Sequence, residues 1–220
     1  MNIASNIKTL RASLPSQVKV VAVSKFHPTE QIREAYDAGQ RLFGESRVQE
    51  LVAKRQELPK DIEWHFIGTL QRNKVKLIAP FVTLIHSLDS ERLMQEIEKQ
   101  GAACGRVIPC LLQVHIAEEE TKSGFSPDEC RRFLERSRWR ECSHLQIAGM
   151  MGMATYTDNR QQVRREFRQL KDLFDESKAK HFAGDPSFRE LSMGMSDDYP
   201  IAIEEGSTLI RVGTLIFGER

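Results

Sequence analysis

Several things are scarce or missing in this 220-residue chain, and each absence removes a class of function. Cysteine is scarce: Cys104, Cys110, Cys130 and Cys142 are the whole set, and none forms a CxxC pair. That spacing suggests neither a zinc site nor a disulfide framework, and reduced structural thiols are the default. No apolar run is long enough to span a bilayer, and the first residues, Met1 to Leu14, lack a signal-peptide core and read as a helix. A cytoplasmic location is expected. Charge of one sign is missing too: 32 Lys and Arg against 31 Asp and Glu leave +1, no footprint for nucleic acid or an anionic membrane. The basic stretch Arg131 to Arg140 is interrupted by Glu135 and reads as a solvated helix face. No G-x-G-x-x-G follows the first strand, and no His-x-His or His-Glu-x-x-His occurs.

What is there is a regular alternation. The run Val20-Val21-Ala22-Val23-Ser24-Lys25 reads as a strand buried on both faces, as in a parallel sheet. Further strands are expected over Arg41–Ser46, Glu63–Gly68, Val82–Ser87, Val107–Ile116, Leu145–Met151, Phe188–Met193 and Leu209–Thr214. Between them lie helical patterns: Pro28 to Ala38, Val48–Leu58, Asn73–Ala79, Ser90–Gln100, Ser126 to Glu141, Arg160–Lys178 and Ser196–Glu205. In the longest, Val163, Phe167, Leu170 and Phe174 fall at spacings of three and four. Eight strands alternating with helices imply parallel pairing with right-handed crossovers. The count matches a single (β/α)8 TIM barrel over residues 1–220, with a doubly wound open sheet as the runner-up.

A barrel gathers its chemistry at the C-terminal strand ends. Alternation puts Lys25 in line with Val21 and Val23, partly desolvated yet reachable. Desolvation there favours the free amine, a nucleophile towards aldehydes; the bland alternative is a lysine snorkelling out of a strand end. The last two strands end in small residues, Ser192-Met193-Gly194-Met195-Ser196 and Gly213-Thr214, where backbone N–H groups can approach an anion. They also suit ordinary turns. Asp197 and Asp198 are placed outward, because facing an anion they would repel it. Alternation puts Leu209, Arg211 and Gly213 on one side of the last strand; if that side points inward, Arg211 lies inside the barrel, where a buried charge must meet a ligand or an internal partner such as Glu45. An amine, an anion cradle and a buried arginine together suit pyridoxal 5′-phosphate. Lys25 would form a Schiff base with its aldehyde. Ser192, Gly194, Gly213 and Thr214, with Met193 between them, would hold the phosphate, and Arg211 would face the ring nitrogen.

Read with Phe43-Gly44-Glu45, Glu63-Trp64-His65-Phe66-Ile67-Gly68, Lys122-Ser123-Gly124 and Phe217-Gly218, these motifs closely resemble the pyridoxal phosphate homeostasis proteins. That family is similar to the N-terminal barrel of alanine racemase without its second domain. The resemblance spans about Val20 to Gly218. It implies a non-catalytic carrier or buffer of pyridoxal phosphate on Lys25, a cytoplasmic monomer serving cofactor-dependent apoenzymes and amino-acid balance. It also implies that His65 and Met151 lie near the ring. Family members usually have asparagine where this chain has Ser46; the shorter side chain leaves room for water beside the cofactor. Two alternatives stand beside the carrier. One is a low-activity amino-acid racemase, which would need a second acid/base group; Tyr36, Tyr156 and Tyr199 are the only tyrosines. The other is a metal-dependent hydrolase using His65, His86 and His115, although strand histidines are more often core residues.

Overall fold

A computed structural model describes residues 2–118 and 123–219; Lys122 of the Lys-Ser-Gly motif lies outside them. Eight strands close into a barrel in sequence order, every neighbouring pair parallel, with β8 returning to β1. They are β1 (Lys19–Val23), β2 (Leu42–Glu45), β3 (Glu63–Phe66), β4 (Leu84–Leu88), β5 (Ile108–Gln113), β6 (Leu145–Met151), β7 (Glu190–Ser192) and β8 (Leu209–Val212). The helices are α1 (Ile3–Ala12), α2 (Thr29–Asp37), α3 (Val48–Glu57), α4 (Val75–Ile78), α5 (Glu91–Cys104), α6 (Pro127–Glu135), α7 (Arg160–His181), α8 (Tyr199–Glu204) and α9 (Thr214–Phe217).

Both faces of the strands are buried, so the core has two parts. The larger lies between strands and helices. There Val163, Phe167, Leu170 and Phe174 of α7 meet residues such as Phe188 and Leu191. Burying each such side chain contributes about 1.5–3 kcal/mol. The smaller part fills the lumen: Val21, Leu84, Leu111, Ala148, Met151 and Leu209. Below it, Lys19 Nζ reaches Glu190 Oε1 at 2.5 Å. One irregularity shapes the wall. The β5–β6 register shifts between Cys110 and Leu111, and Gly149 sits so close to β7 that a Cβ there would lie 1.8 Å from the Glu190 carbonyl oxygen. Only glycine fits that approach.

Several boundaries differ from the sequence reading. The helix expected from Ser126 to Glu141 stops at Glu135. Its start is as expected, with Ser126 and Glu129 forming a reciprocal capping box. Ser137 then adopts a left-handed φ of 58° and the chain resumes as a 3-10 turn over Arg138–Glu141. Strands β7 and β8 are shorter than expected, because their last small residues turn away from the ladder into the mouth loops. Finally, β1 ends at Val23, so Lys25 lies just beyond the strand rather than on it.

Candidate functional site

The end of β1 sets the position of Lys25. The Ser24 N–H still donates to Gly44 O at 3.0 Å, which extends the pairing with β2 by one residue. Its hydroxyl donates to Glu45 Oε1 at 2.6 Å, on the helix side of the wall. Alternation therefore turns Lys25 to the lumen side, above Val21 and Val23. Phe26 follows with a left-handed φ of 66°, and the His27 N–H closes the turn on Ser24 O at 3.0 Å. Lys25 is half-buried. Among the described residues its amine has no hydrogen-bond or ion-pair partner.

Arg211 stands opposite Val21 in the β8–β1 register, and so faces the lumen. Its Nη1 donates to Ser192 Oγ at 2.6 Å and its Nη2 to Gly152 O at 3.0 Å. Glu45 is not its partner. Gly44, paired with Val23, takes the lumen position on β2, so Glu45 points the other way, towards Lys54 and Ser24. Instead Ser192 Oγ lies 3.1 Å from His86 Nδ1, and His86 Nε2 lies 3.0 Å from His65 Nδ1. Four side chains from β8, β7, β4 and β3 thus form one hydrogen-bonded row across the lumen. Burial brings Arg211 down to about 10, the Asp198 charge opposing. Burial, with help from the Lys19 charge, holds His65 down to about 3; burial and the charges of His65 and Arg211 hold His86 well below its usual value. With both rings neutral, one assignment satisfies the row: Arg211 donates to Ser192, Ser192 to His86, and His86 to His65.

The anion loops follow β7 and β8. Gly194 has φ of 97°, and a Cβ there would sit 2.7 Å from Ala202 Cβ and 3.0 Å from Tyr199 Cα. Its carbonyl accepts the Arg211 N–H at 2.9 Å, which ties the two loops together. Gly213 lies against β1, where a Cβ would be 3.2 Å from Val23 O. The N–H groups of Ser196, Gly213 and Thr214 donate to no described residue. Asp197 is exposed, as expected, but Asp198 is not turned outward. Its carboxylate accepts the Met195 N–H at 2.5 Å, bracing the loop, and burial raises its pKa.

The remaining expected residues divide. Met151 lines the lumen. Ser46 is half-buried at the end of β2, its backbone so near Gly68 that a Cβ there would lie 2.2 Å from Ser46 O. The Met193 side chain is fully buried in the layer between strands and helices, which leaves its backbone to the mouth. Ser192 directs its hydroxyl into the lumen, at Arg211 and His86, rather than at the loops. His65 and His86 bind one another, and among the described residues no three His, Cys, Asp or Glu side chains converge as metal ligands. Sequence reasoning noticed His65 and His86 but not their pairing. Both lie at lumen-facing positions on adjacent strands, a signal readable only once His65 is known to stand beside Leu84.

Residues 1–220 match the family model described as alanine racemase, N-terminal domain. A pyridoxal phosphate homeostasis protein of Aquifex aeolicus is 43% identical over 203 residues, 92% of this chain and 87% of the relative. Its counterpart in Helicobacter pylori is 40% identical over 204 residues, 92% of this chain and 88% of the relative. Among solved structures, PipY of Synechococcus elongatus with PLP bound superposes with a TM-score of 0.87 at 39% identity, covering 98% of this chain and all (100%) of that one. An alanine racemase of Clostridium difficile shares the fold at a TM-score of 0.75 and 14% identity; this chain covers 56% of it.

Proposed function

This chain belongs to the pyridoxal phosphate homeostasis proteins, built on the alanine racemase N-terminal domain, and from that premise we propose that it binds pyridoxal 5′-phosphate as a carrier rather than as an enzyme. The residues present fit the group. A phosphate needs backbone donors and close approach, which Ser196, Gly213 and Thr214 supply beside Gly194. An aldehyde needs a free primary amine, which is Lys25. A ring nitrogen needs a fixed partner, which is Arg211, with Met151 and His65 lining the wall below. Ser46 borders the same mouth. When bound, the cofactor supplies an aldehyde that condenses with a primary amine as water leaves.

One observation carries the reading of a carrier, or at most a weak racemase, over other pyridoxal phosphate chemistry. The Arg211 guanidinium is buried, and among the described residues it donates to Ser192 and Gly152, both neutral. At a pKa of about 10 it stays cationic at neutral pH, so it opposes protonation of a ring nitrogen and weakens the ring as an electron sink. Tyr36, one candidate for a second acid/base group, is bound to Asp61 outside the barrel. We further read residues 1–220 as one functional domain. It acts as a cytoplasmic monomer that hands the cofactor to apoenzymes. The four unpaired cysteines agree with a reducing compartment, and no described helix is long and apolar enough to cross a membrane. The test is the visible spectrum of the protein with pyridoxal phosphate, before and after borohydride, followed by mass mapping. A reduced adduct on Lys25 supports the reading; an adduct on another lysine, or no uptake, refutes it. Racemisation of amino acids at the rate of a dedicated racemase would refute the carrier role.

A further inference from the structure

On the outer face of the barrel wall, directly behind Lys25, lies a buried charge cluster that the binding site itself does not use. Lys54 on α3 is 6% exposed. Its ammonium donates three hydrogen bonds: to Ser24 O at 2.8 Å, to Glu45 Oε1 at 2.8 Å and to Glu50 Oε1 at 2.6 Å. The same Glu50 oxygen accepts the Phe26 N–H at 2.6 Å, and Ser24 Oγ donates to Glu45. The residues immediately before and after Lys25 are therefore both tied to one lysine–glutamate pair a helical turn apart.

We infer that Lys54 and Glu50 are positioning residues that preset the amine of Lys25 for covalent attachment of the cofactor. The inference rests on the pyridoxal phosphate reading above and adds to it. Three features support it. A buried ammonium surrounded by carboxylates is an expensive way to join a helix to a strand, since an apolar pair of similar volume does as well or better. Glu45 Oε2 remains buried without a partner, so the cluster is not arranged for stability alone. Most directly, Phe26 adopts a left-handed φ, rare for a bulky side chain and persistent only where the surroundings impose it. Its N–H is the atom Glu50 holds. That turn sends the chain away from the wall directly after Lys25 and fixes the direction in which the lysine leaves the backbone. An amine already aimed at the mouth loses less freedom on bonding, which is how orientation accelerates a condensation.

The test compares wild type with Glu50→Ala, Glu50→Gln and Lys54→Met. The rate of attachment, followed by absorbance on mixing with pyridoxal 5′-phosphate, should fall about tenfold in Glu50→Ala and Lys54→Met. Affinity for pyridoxine 5′-phosphate, which has the ring and phosphate but no aldehyde, should change by less than about twofold. Glu50→Gln keeps an oxygen for the Phe26 N–H and should attach at close to the wild-type rate. In ligand-free protein, amide hydrogen exchange at Phe26 should be faster in Glu50→Ala than in Glu50→Gln. If Lys54→Met does not fold, Glu50→Ala decides, because Glu50 lies near the surface of α3. Faster exchange at Phe26 with an unchanged attachment rate would overturn the inference. Wild-type protein that forms no adduct on Lys25 would instead overturn the functional reading beneath it.

Discussion

The two lumen histidines make stability depend on pH in a way that can be computed and refuted. Both are buried and neutral. His65 is held near pKa 3, against an ordinary 6.5. Below pH 6.5 the unfolded chain takes up a proton at this position and the native chain does not. Stability is therefore greatest above 6.5 and declines steadily as pH falls towards about 3. The slope is about 1.4 kcal/mol per pH unit for each such histidine. Going from pH 7 to pH 5 then removes about 2 kcal/mol through His65. His86 is shifted in the same direction and adds to the loss. Against a total of about 5–15 kcal/mol for a typical protein, that is a large fraction. Urea unfolding at pH 7 and pH 5 measures it. In His65→Gln the loss between the two pH values should shrink by about 2 kcal/mol. The variant's broken bond to His86 costs the same at both pH values, so it cancels in the difference. An equal loss in wild type and variant would mean that His65 is protonated in the fold, and the directional row from Arg211 to His65 would be wrong.

Other outcomes follow from the same geometry. Lys25→Ala should abolish the borohydride-trapped adduct yet retain weaker, phosphate-anchored binding, visible by equilibrium dialysis; loss of all binding would place the anchor at the amine. Arg211→Met removes a buried cation that has no carboxylate in hydrogen-bond contact, so the ligand-free protein should be at least as stable in urea as wild type. The rise in Tm on adding pyridoxal phosphate should shrink in the same variant; an unchanged rise would remove Arg211 from the site. Gly194→Ala forces a Cβ against Ala202 and Tyr199 at a left-handed φ and should cost about 2 kcal/mol or more in chemical denaturation; a neutral effect would show that the β7 loop can shift. Gly149→Ala, with its Cβ 1.8 Å from a carbonyl oxygen of β7, should reduce the yield of folded protein much more than Gly194→Ala does.

The fold was readable because local pattern suffices for it. Eight apolar runs alternating with amphipathic helices have few compact solutions, and parallel strands that need helical crossovers leave a closed barrel among them. The period of two along a strand likewise grouped Val21 with Val23 and Lys25, and Arg211 with Leu209 and Gly213, but which group faces the lumen was decided by the register of β8 on β1. The sequence motifs led to the same family that the relatives define. Local pattern stopped where backbone geometry changed. It missed the break at Ser137, where one residue turns left-handed, and the early end of β1 before Lys25.

Tertiary structure decided which side chains meet. His86 and Ser192 are 106 residues apart and touch across the lumen; Lys54 and Ser24 are 30 apart and touch through the wall. Periodicity groups the residues of one strand into two sides, but their height depends on register, stagger and the bulge at Ala148 of β6. Glu45 therefore looked like a partner for Arg211 and is in fact the partner of Lys54, one position out of phase with the lumen-facing Gly44. Met193, one residue past Ser192, turns its side chain to the opposite side of the wall. The chain alone determined the barrel and the lysine at its mouth. Closure of β8 onto β1, a contact between the two ends of the sequence, brought Arg211 and the β8 loop beside the strand that leads to Lys25.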